Sequence, residues 1–267
     1  MNVAAYLKKK SKQIEKALDS ILSAKGAVPQ SLAHAMRYAI FAGGKRVRPI
    51  LVLAACEAVG GDEKKVLPAA CAIELIHNYS LVHDDLPCMD DDDLRRGKPT
   101  CHVKFGEATA LLAGDALLTL AFEVMSGTKL EAVKLLAQAV GGSGMVGGQQ
   151  VDIDFQGKNK DLPTVQYINT HKTGDLIAVS FRLGAYLGGG TSSQTKPIYE
   201  AGKCAGLLFQ IVDDILDKEG YASVIGMHEA KIQAQRLRER AKNHLKPLGH
   251  KAVALSNIID FIADRDY

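Results

Sequence analysis

The 267-residue chain is predicted to be an all-α protein, a helical bundle. Two observations carry that reading. Nearly every long segment spaces its apolar residues with helical period, and glycine pairs such as Gly43-Gly44, Gly60-Gly61 and Gly188-Gly189-Gly190 fall where those runs should stop. No alternating strand, serine-rich linker or repeat of fixed period interrupts the pattern, so one domain over residues 1–267 is expected. With 47% hydrophobic residues the chain has material for a sizeable core. Its net charge of +3, from 33 Lys and Arg against 30 Asp and Glu, is too small a surplus to indicate a nucleic-acid partner.

The elements follow in order. Leu7, Ile14, Leu18, Ile21 and Leu22 form one apolar stripe with Lys and Glu opposite, an amphipathic first helix. Further helices are expected over 31–41, 49–59, 64–84, 107–125, 129–154, 164–187, 193–217, 228–245 and 251–263. The runs around Ile73 and Leu207 are apolar on most faces and belong in the middle of a bundle. Residues 108–125 carry Asp115 and Glu123, and are expected to be too short and too polar to span a membrane. The N-terminal MNVAAYLKKKSKQ lacks the apolar core of a secretory signal. Of five cysteines, none in a CxxC pair, Cys56, Cys71 and Cys204 sit inside apolar runs; reduced thiols and a cytoplasmic location are expected.

Two acidic clusters stand out. His83-Asp84-Asp85-Leu86-Pro87-Cys88-Met89-Asp90-Asp91-Asp92-Asp93 closes one apolar helix and Asp213-Asp214-Ile215-Leu216-Asp217 closes another. Counting back from Asp84, His77 and Glu74 share its polar stripe; counting back from Asp217, so do Asp214, Asp213 and Gln210. Narrow polar stripes inside a bundle must face a wet cavity, because buried carboxylates need a partner or a metal. Asp213 and Asp217, four residues apart, reach one ion from one helical face. Asp84 and Asp90 converge only if the chain bulges at Pro87. Asp91 to Asp93 suit a solvated face as well as a site. Carboxylates without His or Cys at ligand spacing point to Mg²⁺, which completes its shell with water and substrate phosphates.

Basic residues match this. Gly43-Gly44-Lys45-Arg46-Val47-Arg48-Pro49 is a glycine-hinged loop opening a helix, with Pro49 suited to the first helical position. Its backbone N–H groups, the helix dipole, Lys45 and Arg48 would hold an anion. Arg95-Arg96-Gly97 follows the first acidic cluster, and Lys172-Thr173-Gly174 interrupts a later helix.

With these motifs in this order the sequence resembles the trans-isoprenyl diphosphate synthases, the short-chain bacterial farnesyl and geranylgeranyl type in particular. The resemblance rests on GGKRVRP (43–49), HDDLPCMDDDDLRRG (83–97), GGQQVD (147–152), HKTG (171–174), FQIVDDILD (209–217) and the closing FIADRDY (261–267). It implies the isoprenoid-synthase helical fold with a central active-site cavity, a homodimer, and Mg²⁺-dependent condensation of isopentenyl diphosphate with dimethylallyl or geranyl diphosphate. By the same resemblance, Asp84 and Asp90 hold two Mg²⁺ ions and Asp213 a third, with Asp217 nearby. Arg95, Lys172 and Gln210 contact the allylic diphosphate, and Gln149 and Asp152 support Lys172. Gly44, Lys45, Arg48, His77 and Arg96 hold isopentenyl diphosphate, while Thr173 and Gln210 offer dipoles to an allylic cation.

Tyr79 and Ser80, five and four residues before Asp84, are implied to set chain length. Tyr79 and the Pro87-Cys88 insertion favour farnesyl diphosphate as product, with geranylgeranyl diphosphate as the alternative. Two joins, at Ser126-Gly127 and at Lys218-Glu219-Gly220, are shorter than the family pattern, whose loop after the second aspartate cluster carries a lysine. The expectation is that mobile residues are missing from the sequence there. A terpene cyclase would carry a different second metal motif, and a di-iron bundle needs Glu-x-x-His pairs. A non-catalytic synthase subunit usually lacks one aspartate cluster, and both are present.

Overall fold

The computed structural model describes residues 2–23, 26 and 28–265. Helices α1 (Val3–Ser23), α2 (Gln30–Phe41), α3 (Val47–Ala58), α4 (Glu63–Asp84), α5 (Cys101–Phe105), α6 (Glu107–Ser126) and α7 (Leu130–Val140) form the first half. Helices α8 (Met145–Asp154), α9 (Leu162–Ile168), α10 (Asp175–Leu187), α11 (Ser192–Asp217), α12 (Gly220–Ile225), α13 (Met227–Leu245) and α14 (Val253–Ala263) follow. A π-helical turn, Asn169–Gly174, joins α9 to α10, and a 3₁₀ segment, Lys246–Ala252, leads into α14. An all-α fold is what the periodicity predicted. A two-residue antiparallel ladder, Leu94–Arg95 against Lys98–Pro99, is the departure from it.

The centre is built by α3, α4, α10 and α11. α3 buries Pro49 to Cys56 continuously, and α10 buries Leu176 to Phe181. α4 packs on α3, α6 and α10, while α11 lies between α10 and α13. A smaller apolar cluster of Val165, Ile211, Tyr221, Ala222 and Ala230 forms where α9, α11, α12 and α13 meet. Cys56, Cys71, Cys101 and Cys204 are buried as small apolar residues; Cys88 is exposed.

Several expectations need correction. The 129–154 helix is two, because the Gly141-Gly142-Ser143-Gly144 run has low helix propensity and turns the chain between α7 and α8. The 164–187 helix is broken by the π-helical turn. Pro49 stands third in α3, not first, since the helix opens at Val47 after Arg46 in the left-handed region (φ 53°). α6 is long and apolar enough to cross a membrane by length and composition, so its exclusion on those grounds fails; it packs instead on α4, α2, α5 and α7.

Both short joins are closed by ordinary turns. Thr128 N and Oγ1 both donate to the Met125 carbonyl, capping α6 before α7. After α11, Glu219 N donates to the Asp214 carbonyl and α12 begins at once. The final two residues of FIADRDY lie outside the described residues.

Candidate active site

The GGKRVR loop divides its two arginines. Arg46 turns inward, where its Nη1 donates to Glu74 Oε1 at 2.6 Å and its Nη2 to the Ile40 carbonyl at 2.6 Å. Asn78 Nδ2 also donates to Glu74, so this polar cluster is buried and internally paired. Arg48, two residues on, faces a cavity of about 770 Å³ lined by Gly43, Gly44, Lys45, Arg95, Arg96 and Arg265 among others. Gly44 permits this arrangement: its φ is +128°, and a Cβ there would lie 2.7 Å from the Arg96 guanidinium. Arg96 in turn donates to the Gly43 carbonyl.

Arg48 and His77 also line a second cavity of about 260 Å³, with Tyr79, Ser80, Asp84, Met89, Met145, Gln149, Lys172 and Thr173. Arg48 Nη1 lies 3.4 Å from His77 Nε2. Burial lowers the Arg48 guanidinium to about 10. Burial, with Arg48 and Arg96 close by, holds the His77 imidazole well below 6.5 and so neutral. Arg48 Nε and Gln149 Nε2 are buried without a hydrogen-bond partner, two donors available to a ligand.

The first aspartate cluster bends as its proline predicted. α4 ends at Asp84, Leu86 N donates to the His83 carbonyl, and Asp90 N returns to the Asp84 carbonyl at 2.9 Å. Burial raises the Asp84 carboxyl to about 6; Lys172 opposes the shift and Asp90 adds to it. Asp85 is buried and paired with Arg95 at 2.5 Å, and Arg95 also reaches Asp92 at 3.0 Å. Arg95 lines the first cavity, and its charge also acts on Asp84, opposing the rise of that carboxyl.

Facing this is the end of α11. Asp213 pairs with Arg265 at 3.1 Å, and burial raises its carboxyl. Asp217 lines a third cavity of about 250 Å³ with Asp152, Lys160, Lys172, Thr173 and Gln210. Lys172 pairs with Asp152 at 2.8 Å and Lys160 takes the other oxygen at 2.5 Å. Burial would raise Asp152, but the two lysines outweigh it and hold the carboxyl below its ordinary value. The π-helical turn sets the aim of Lys172 and Thr173 by inserting one residue into the helix. Thr173 Oγ1 donates to Gln210 Oε1 at 2.9 Å, and Gln210 Nε2 donates to Asp214 at 3.0 Å.

Arg265 and Lys160 were not singled out from sequence; Asp214 and Asp85 were read only as members of the acidic clusters, Asp214 on the polar stripe of its helix. Asp214 is buried and accepts from Asn169 Nδ2, Gln210 Nε2 and Tyr221 N, which ties the π-helical turn to α11 and α12. It and Asp85 are each the buried second member of an Asp-Asp pair; Asp84 lines the second cavity, whereas Asp213 is paired with Arg265 and Asp214 itself borders the third cavity.

The carboxylates fit a hard cation. Among the described residues the side chains of Asp84, Asp90 and Asp217 make no hydrogen bond or salt bridge within the chain; Asp84 lines the second cavity and Asp217 the third. No group of three potential ligands close enough to hold an ion alone occurs among the described residues. Mg²⁺ needs none, because it takes one or two carboxylates plus phosphate oxygens and water.

A helical bundle with facing aspartate pairs beside an arginine-lined cavity has the architecture of the isoprenyl synthases. The chain belongs to the polyprenyl synthetase family, whose sequence pattern matches residues 29–235. It is 44% identical to geranylgeranyl pyrophosphate synthase 4 of Arabidopsis thaliana, over 98% of this chain and 78% of that protein. That alignment runs over 291 positions, more than this chain has, so the relative carries internal residues absent here. A heterodimeric geranylgeranyl pyrophosphate synthase large subunit 2, also of Arabidopsis thaliana, is 42% identical over 98% of this chain and 77% of its own. Among solved structures, an FPP/GFPP synthase from Zymomonas mobilis superposes with a TM-score of 0.90 at 40% identity, covering 97% of this chain and 99% of that one.

Proposed function

We propose that this prenyltransferase condenses isopentenyl diphosphate with an allylic diphosphate and releases geranylgeranyl diphosphate. The observation that carries the reading is the shared wall: Arg48 and His77 line both the cationic cavity and the carboxylate-bearing one, so two diphosphates are held side by side. The curated relatives favour the geranylgeranyl product over the farnesyl product expected from Tyr79.

Lys45, Arg48 and Arg96, which line the cationic cavity together, bind the isopentenyl diphosphate. Asp84, Asp90, Asp213 and Asp217 would hold the magnesium ions, which would supply positive charge beside the allylic diphosphate. Lys172 adds a cation to the same diphosphate, and Lys160 keeps Asp152 paired when Lys172 turns toward it. Thr173 and Gln210 present oriented dipoles to the allylic cation. Met89, Met145, Val146 and Leu176 exclude water from it. The departing diphosphate removes the proton after the isopentenyl double bond attacks, so no protein nucleophile is required.

We further propose a homodimer formed through α6, whose Leu111 and Leu112 are 47% and 56% exposed, and a reducing, cytoplasmic setting suited to the free thiols. The test of the chemistry is incorporation of radiolabelled isopentenyl diphosphate with Mg²⁺. Label should enter acid-labile, extractable product only when an allylic primer is present; no incorporation with any primer overturns the reading.

A further inference from the structure

The π-helical turn that aims Lys172 and Thr173 packs on both α8 and α11, and each helix meets it through a glycine. On α8 this is Gly148, which is buried. A Cβ there would fall 2.2 Å from the Lys172 backbone nitrogen and 2.8 Å from its Cα. On α11 it is Gly206, also buried, whose Cβ would fall 2.8 Å from both the Cα and the carbonyl oxygen of Gly174. The atoms met are backbone in each case. No rotamer change makes room for a methyl, so the turn itself would have to move.

The residue four positions beyond each glycine holds a side chain of the same turn. Asp152, four after Gly148, accepts from Lys172 Nζ at 2.8 Å. Gln210, four after Gly206, accepts from Thr173 Oγ1 at 2.9 Å. Asp214, four further along α11, accepts from Asn169 Nδ2 at 2.9 Å. Positions four apart share one helical face, so each helix holds the turn twice, at its backbone and at a side chain. The glycine contact sets how closely the turn approaches, and the polar contact sets where Lys172 and Thr173 point.

We propose that Gly148 and Gly206 are positioning residues for prenyl transfer, Gly148 acting through Lys172 on the allylic diphosphate and Gly206 through Thr173 on the allylic cation. This rests on the chain-elongating reading of the site. Neither glycine is needed to touch a substrate, because misplacing a catalytic group by about 1 Å from a distance costs as much as about a hundredfold in rate.

The test measures kcat and KM for dimethylallyl diphosphate and for isopentenyl diphosphate, with Mg²⁺, and follows thermal melting in parallel. The variants are Gly148→Ala, Gly206→Ala, Lys172→Ala, Thr173→Ala and the doubles Gly148→Ala/Lys172→Ala and Gly206→Ala/Thr173→Ala. Gly148→Ala should raise KM for dimethylallyl diphosphate about tenfold or more and leave KM for isopentenyl diphosphate within about twofold. Gly206→Ala should lower kcat about tenfold or more with both KM values little changed. Each double variant should match its Lys172→Ala or Thr173→Ala parent, since the glycine acts through that residue alone. Folded glycine variants with wild-type kinetics overturn the proposal, as do losses that multiply in the doubles or a KM that rises equally for both substrates. If Gly148→Ala fails to fold, the Gly206 set decides; if neither folds, the contacts serve the fold and not the aim, and the proposal is overturned. A wild-type protein that condenses nothing overturns the elongating reading itself, and the positioning roles with it.

Discussion

Arg46 and Arg48 differ by two positions and do opposite work. Arg46 is 3% exposed and neutralises Glu74 inside the protein, whereas Arg48 keeps a buried Nε without a partner beside two cavities. Replacing Arg46 by Ala leaves the buried Glu74 carboxylate without its ion-pair partner, with Asn78 still donating to it. Chemical denaturation should show a loss of about 3–5 kcal/mol. Arg48→Ala should leave stability nearly intact and raise KM for isopentenyl diphosphate at least about tenfold, the loss of one charge-assisted hydrogen bond. Equal stability losses for the two would contradict the division. His77 supplies a pH test. Its folded-state value lies well below the 6.5 of an unhindered imidazole, because it is buried among arginines. Below 6.5 the unfolded chain takes up a proton that the folded chain refuses. The stability linked to His77 is therefore complete above pH 6.5 and is lost as pH falls through and below that value. His77→Gln should flatten the acid limb of a plot of denaturation midpoint against pH; an unchanged limb would show that His77 is not held neutral.

At the scale of elements, the end of α11 works as one unit with the π-helical turn and α12. Asp214 ties them: Asn169, Gln210 and the Tyr221 backbone all donate to its carboxylate. Removing it in Asp214→Ala should raise hydrogen exchange across residues 220–225 by about tenfold or more, each lost bond to a charged acceptor being worth about 1.5–3 kcal/mol. Protection unchanged from wild type would mean the apolar cluster around Tyr221 holds the join unaided. Helix periods, the facing aspartate pairs and the GGKRVR loop were legible in the sequence because they are matters of spacing and residue type. The π-helical turn was not, since one inserted residue alters no composition and the flanks remain helical. The partition of paired residues, Arg46 from Arg48 and Asp213 from Asp214, was hidden for a different reason. Which member points inward depends on a helix's rotation against its neighbours, and tertiary packing sets that. The split of residues 129–154 was within reach, as three glycines in four positions argue against a continuous helix.

For the whole molecule, α6 joins two roles. Its inner face packs on α4 beside the cavity, and its outer face leaves Leu111 and Leu112 exposed. The proposed homodimer, with a second copy covering that face, would give a light-scattering mass of twice 28.6 kDa. Leu112→Glu should return the mass of one chain, by placing a charge in an apolar contact; a wild-type protein that is monomeric at micromolar concentration would contradict the dimer. The central claim is that the arginine-lined and carboxylate-lined cavities, joined at Arg48 and His77, extend an allylic diphosphate by isopentenyl units. The most direct measurement is the mass of the end product made by the purified wild-type chain from isopentenyl diphosphate, dimethylallyl diphosphate and Mg²⁺. Geranylgeranyl diphosphate as the dominant species is the predicted result. Unchanged substrates, or hydrolysed allylic alcohol without condensation, would contradict the account.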